Sequence, residues 1–342
     1  MNSIPHNDFL KLTCEFPTNL DTFSFSNEYY DIDVIDTGVI RFTPKMQTSN
    51  AESEKAIILS CAVHGNETAP IEICNTLITN MVTGSLHGPH PVLLIFGNPA
   101  SINIGERFVE ENMNRMFERN AKLKDSNAER QRASQLMEYV DEFFNTYQQA
   151  QHIHYDLHTA IRDSAHEKFA VYPYLHGKPW KKQQLLWLQA MGVNTFLLMQ
   201  KGSTTFSYYS SFHHDADAFT IELGKVKPFG QNDQSKFLAC QRTLEKLIAG
   251  HELNSQFDIH HFNLFMVDKE VNKKTSEFRL TFADDTANFT SFPVGHTLAL
   301  DGDEAIKTTH EGEAIIFPNA NVEIGQRALL TVIPKDVSQQ LV

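Results

Sequence analysis

A chain of 342 residues exceeds what one hydrophobic core usually holds, so one large domain and a smaller one are expected. With 41% apolar and 21% charged residues the composition is that of a globular protein rather than a disordered or fibrous one. The net charge of −13, with Lys and Arg scattered, excludes the basic face that nucleic acid requires. A few arginines in a pocket could still attract a small anion.

The chain opens on MNSIPHNDFLKLTCEF, which has neither a basic n-region nor a long apolar h-region, so no secretory leader is expected. No apolar run approaches the ~18 residues that would span a bilayer, so no membrane partner is expected. Cys14, Cys61, Cys74 and Cys240 lie far apart without a CxxC pair and read as reduced thiols of a cytoplasmic protein.

KAIILSCAV (55–63) is a buried strand by its unbroken apolar run, and APIEICNTLITNMV (69–82) is a helix. PVLLIFGNP (91–99) is the next strand and ERQRASQLMEYVDEFFNTYQQ (129–149) a long helix. Strands recur at 152–158, 168–174, 194–199 and 218–223, with helices at 179–191 and 234–250. Apolar strands alternating with helices indicate an α/β sheet covered on both faces. After residue 255 the runs become short and are broken by Gly, Pro, Asn and Asp, which predicts a small all-β module.

Ligands of an open α/β sheet bind beyond the carboxyl ends of its strands. The strand ends here carry His64 and Glu67, then Asn98, then Asp156 and His158, and finally Glu222. Two His and one Glu are a usual ligand set for catalytic zinc, with a fourth position open for water. Asp156, two residues before His158 on the same strand face, is placed to orient a ligand histidine. Each residue also has an ordinary reading. A histidine after a strand often caps or faces solvent, and Glu67 could be an acidic residue favoured at a helix N-terminus. His213-His214-Asp215 reads as a loop without a metal role.

Taken together, HGNE (64–67), NPAS (98–101), MNR (113–115), DLH (156–158) and IELG (221–224) follow the order and approximate spacing of the zinc carboxypeptidase clan. Within it the chain most resembles the aspartoacylase and succinylglutamate desuccinylase family, over essentially its whole length. The resemblance implies a mixed α/β sheet sandwiched by helices, residues 1–254, followed by a small barrel-like all-β domain, residues 255–342. It implies one zinc ion per subunit, held by His64, Glu67 and His158, and Glu222 as the general base and acid. Arg107 matches the family's oxyanion-stabilising arginine, and Asn114 with Arg115 matches the pair that grips the substrate α-carboxylate. For the GERFVEENMNRMF segment the ordinary alternative is a solvated helix face with Glu–Arg pairs.

Tyr208 stands where the family has a substrate-facing tyrosine. Phe212 stands where aspartoacylases carry an arginine, a departure that argues against N-acetylaspartate. Lys225, Lys227 and Arg162 are available for further carboxylates. The implied substrate is the small anion N-succinyl-L-glutamate, cleaved in the last hydrolysis of an ammonia-yielding arginine breakdown route. The alternatives are another N-acyl-amino-acid deacylase and a zinc-binding sensor that does no chemistry. The resemblance leaves the oligomeric state open.

Overall fold

The structure, a computed structural model, describes residues 3–45, 54–119 and 127–342. Helix α1 (Phe9–Glu15) precedes three short strands, β1 (Phe23–Ser26), β2 (Tyr30–Asp36) and β3 (Val39–Pro44). They form an antiparallel meander that no apolar run in the sequence announces. The strand YDIDVID buries only alternate positions, as an edge ribbon with one covered face should.

The α/β series follows: β4 (Lys55–Cys61), α2 (Thr68–Val82), β5 (Val92–Phe96), α3 (Pro99–Ile104), α4 (Ala128–Thr146) and β6 (Gln151–Ala160). Then come β7 (Phe169–Tyr172), α5 (Lys182–Ala190), β8 (Thr195–Leu198), α6 (Phe206–His214), β9 (Asp217–Lys225) and α7 (Leu238–Ile248). Twelve strands make one mixed sheet in the order β1-β2-β3-β5-β4-β6-β9-β7-β8, continued by β10 (Asn263–Asn272), β15 (Arg327–Pro334) and β14 (Ala314–Ile316). The strands β5, β4, β6 and β9 at its centre are parallel.

Alternation along the central strands sends side chains to two cores. Ile57, Leu59, Leu157 and Ile221 pack in one cluster with Ile71 and Leu77 of α2 and Leu244 of α7. Ile58, Leu93 and Ala218 pack in another with Leu136 and Val140 of α4 and Phe206 and Tyr209 of α6. Helices therefore cover both faces, as continuous apolar strands require.

Past α7 no α-helix occurs among the described residues. The strands there do not form a separate sheet only. β10 pairs in parallel with β8, so the large sheet runs on into this region. The strands β11 (Arg279–Leu280), β12 (Thr297–Asp301) and β13 (Glu304–Lys307) make a second, three-stranded sheet.

One local expectation fails. His213 and His214 are the last residues of α6 rather than a loop, and Asp215 ends the helix in the left-handed conformation (φ 53). FSYYSSFHH shows no clear apolar stripe because α6 buries serines, Ser207, Ser210 and Ser211, beside Phe206 and Tyr209.

Candidate metal centre and surrounding site

The site stands at the carboxyl ends of β4, β6 and β9. The chain leaves β4 through Ala62, whose φ of 55 is unusual for a residue with a side chain. Hydrogen bonds from Gly97 N–H to Cys61 O and from Asn98 N–H to Ala62 O, both 2.8 Å, hold this bend. Gly65 follows because α3 crosses there: a Cβ would lie 2.2 Å from the Ser101 carbonyl carbon. This close approach fixes the turn that carries His64 and Glu67.

The second histidine and the second glutamate arrive through strand register. His154, Asp156 and His158 alternate along β6 and so share one face. In the parallel ladder Ser60 of β4 stands opposite Asp156, and Glu222 of β9 stands opposite His158.

His64 Nδ1 lies 2.8 Å from Glu67 Oε1, and His158 Nδ1 lies 2.9 Å from Glu67 Oε2. Each imidazole spends its other nitrogen elsewhere. His64 Nε2 donates to Asn112 Oδ1 at 3.0 Å, and His158 Nε2 donates to Asp156 Oδ2 at 2.8 Å. Both rings therefore turn Nδ1 toward the Glu67 carboxylate, and both tautomers are set by an outer partner. Ligand atoms of His64, Glu67 and His158 all lie within 4.8 Å of one another, and all three residues are buried. This donor set could hold a metal ion, and its two imidazoles and one carboxylate suit a divalent transition metal.

The electrostatics agree with that fit. Burial alone would lower the His158 pKa, but Asp156 and Glu67 outweigh it and hold it well above the usual value. A proton and a metal ion thus compete for Nδ1, which faces Glu67, while Nε2 stays on Asp156. Glu222 is 8% exposed, and its Oε2 is buried without a hydrogen-bond partner. Burial, then the Glu67 charge, push its carboxyl up to about 7.

Residues 105–116 are not a helix. They form a loop with a single 3-10 turn at Met113–Arg115. Buried Glu129, in the first turn of α4, holds this loop by accepting hydrogen bonds from Val109, Glu110 and Glu111 N–H at 2.6–2.8 Å. The same carboxylate accepts from Asn98 Nδ2 at 2.8 Å, while Asn98 Oδ1 caps α3. Asn98 is thus spent on structure.

Arg107 reaches the metal centre directly, with Nη1 2.7 Å from Glu67 Oε1. Asn114 is buried, and its Oδ1 accepts from Phe206 N–H at the start of α6. The Arg115 side chain is open to solvent yet hemmed in by protein. That partial desolvation, then the charges of Arg327 and Arg107, lower its pKa to about 9, and it stays cationic at neutral pH.

Arg327, at the start of β15, was not singled out from the sequence. It lies far along the chain in a segment with no motif of its own. Asn112 and Glu129 were missed for a similar reason, since their partners come from other segments.

The structure brings His64, Glu67, His158, Asp156, Glu222 and Arg107 together, with Asn114 and Arg115 on the adjoining loop. It does not show the softer candidates joining them. Tyr208 Oη pairs with His176 Nε2 at 3.0 Å, and its ring stacks on Phe212. Lys225 pairs with Asp163 at 2.9 Å on the surface. Arg162 donates to the backbone carbonyls of Asp284, Thr286 and Pro318 and so ties the end of β6 to the C-terminal region. His214 is bonded to Asp141 at 2.6 Å, a structural contact. A second group, Asp268, His310 and Glu313, is within reach of one ion, but Lys269 already lies 3.1 Å from Asp268 and 2.6 Å from Glu313.

Comparison with known proteins places this geometry. Residues 53–248 match the family model described as the succinylglutamate desuccinylase/aspartoacylase catalytic domain, and residues 260–335 match the AstE/AspA barrel-sandwich hybrid domain. A protein of Shewanella piezotolerans named succinylglutamate desuccinylase is 48% identical over 338 residues, 97% of this chain and 96% of that one. Its namesake from Idiomarina loihiensis is 48% identical over 340 residues, 97% of each chain. Among solved structures, the succinylglutamate desuccinylase of Vibrio cholerae superposes with a TM-score of 0.86 at 30% identity, covering 95% of this chain and 94% of that one. The Chromobacterium violaceum one gives 0.83 at 34%, covering 98% and 99%. With both domains matched and relatives alike from end to end, this chain belongs to the succinylglutamate desuccinylase/aspartoacylase family, a family of hydrolases.

Proposed function

We propose that the protein hydrolyses N-succinyl-L-glutamate to succinate and L-glutamate, with one zinc ion per subunit held by His64, Glu67 and His158. When bound, the ion supplies a Lewis acid that makes water a usable nucleophile near neutral pH and polarises the amide carbonyl. Glu222 carries the hydrolytic reading. It stands opposite ligand His158 in the β6–β9 ladder, buried, with one oxygen free of any partner and a pKa near 7. A carboxyl so placed takes a proton from the attacking water and gives it to the amide nitrogen as the C–N bond breaks. A protein that only bound acyl-amino acids would have no use for it.

Arg107 has one nitrogen on Glu67 and keeps its remaining donors for the amide oxygen as charge develops there. Arg115 and the amide nitrogen of Asn114 take the α-carboxylate. The substrate bears three carboxylates. The charges of Arg327 and Arg107 both act on Arg115, Glu270 offsetting them only in part, and a cationic cluster of this kind favours such a polyanion. The names of the end-to-end relatives support the same substrate.

The test is to load the purified protein with zinc and compare N-succinyl-L-glutamate, N-acetyl-L-aspartate and N-acetyl-L-glutamate by released amino acid. The expected result is a preference for the succinyl compound of at least about a hundredfold, because carboxylate-binding groups left unpaired penalise the shorter acyl chain. Activity should vanish on chelation and return with zinc. Preference for an acetyl compound would overturn the substrate, and zinc binding without any hydrolysis would overturn the mechanism.

A further inference from the structure

Beneath the metal centre lies a run of buried polar side chains that the proposed chemistry leaves unused. Asp156 Oδ1 is 2.5 Å from Ser60 Oγ, Ser60 Oγ is 2.8 Å from His154 Nε2, and His154 Nδ1 is 2.7 Å from Ser210 Oγ. Ser60, His154, Asp156 and Ser210 are all fully buried, so the groups have one another and no solvent.

The direction of every bond follows from Asp156 being a carboxylate. Its Oδ2 accepts from His158 Nε2–H and its Oδ1 from the Ser60 hydroxyl. If the Ser60 proton pointed elsewhere, two oxygens would face each other at 2.5 Å with nothing between them. Having given its only proton, Ser60 must accept from His154 Nε2–H. His154 Nδ1 is then bare and accepts from Ser210. Neutral His154 is required throughout, and burial pushes its pKa down to about 4.

We infer that Ser60, His154 and Ser210 are positioning residues that lock Asp156, and through it His158, in the orientation that presents Nδ1 to the metal ion. This rests on the metal reading given above. The three residues come from β4, β6 and α6, so the outer support of one ligand joins three elements. The register that sets Ser60 opposite Asp156 builds the middle of the chain. α6 closes its far end, while its first residue, Phe206, is held by Asn114 of the cationic loop.

The experiment measures zinc dissociation constants by chelator competition for the wild-type protein, Ser60→Ala, His154→Leu and His154→Gln. Each variant is also examined by the visible spectrum of its Co²⁺ form and by its metal-free melting temperature. Ser60→Ala and His154→Leu should each weaken zinc binding roughly tenfold and shift the Co²⁺ bands, as loss of an outer partner does. His154→Gln, whose amide both donates and accepts, should stay close to wild type. Zinc affinity and spectra unchanged in Ser60→Ala and His154→Leu would overturn the inference, whatever their melting temperatures. Equal losses in His154→Leu and His154→Gln would overturn it too, by assigning the effect to packing. If either central variant fails to fold, Ser210→Ala at the far end gives the same reading with a smaller effect. A wild-type protein that takes up no zinc would bring down the metal reading along with this one.

Discussion

Glu222 and Glu67 show how environment divides the work between two buried carboxylates. Glu67 lies against Arg107 and two imidazoles, and the imidazoles outweigh its desolvation and keep it well below the usual carboxylate range. Glu222 has no such neighbours on its inner oxygen and rises toward neutrality. A group ionised near pH 7 yet able to hold a proton suits a base that later acts as an acid. Replacing Glu222 with Gln keeps the shape and removes the basicity. Turnover of that variant should fall by about 10²–10⁴-fold while zinc content per chain is unchanged, as metal analysis and steady-state kinetics would show. The residues of this pair were visible in the sequence as strand-end acids. The opposite directions in which their pKa values move were not, because these depend on which charges surround each one.

At the scale of elements, the cationic loop is ordered by α4. Four hydrogen bonds from Asn98 Nδ2 and the backbone N–H groups of Val109, Glu110 and Glu111 converge on the buried Glu129 carboxylate. Glu129→Ala leaves these donors without a partner and should cost about 3 kcal/mol of stability. The loop that bears Arg107, Asn114 and Arg115 should loosen, with KM raised by roughly tenfold and zinc retained. Faster amide exchange at 109–111 would identify the loop as the cause. In the sequence Glu129 is only an acidic residue at a helix start, a place where acids are common. The long α4 was legible from its period, but the loop it restrains has none and could be mistaken for a solvated helix face.

The whole molecule is organised by strand order. β6 and β9 are neighbours although β7 and β8 lie between them in the chain, and this adjacency sets Glu222 beside His158. The large sheet then runs past β8 into β10, β15 and β14, so the C-terminal region is built onto the sheet that carries the site. Arg162 fastens the two by donating to the Asp284, Thr286 and Pro318 carbonyls. Arg162→Ala should lower stability by about 2 kcal/mol in urea melts. Proteolysis should become faster around residues 284–288, with zinc binding at His64, Glu67 and His158 intact. A variant as stable and as resistant as wild type would show the tie to be dispensable.

The sequence by itself determined the α/β series, the all-β texture after residue 255 and the chemistry of the ligand set. Apolar period and donor type are local properties that survive in a linear string. Tertiary structure alone decided the strand order and register, the burial that raises Glu222, and the bonds that select Nδ1 of both histidines. It also gave Arg162 and Lys225 partners in distant segments, the Thr286 carbonyl and Asp163. Hydrogen-bond partners and desolvation arise between segments far apart in the chain, and they exist only once packing has brought those segments together.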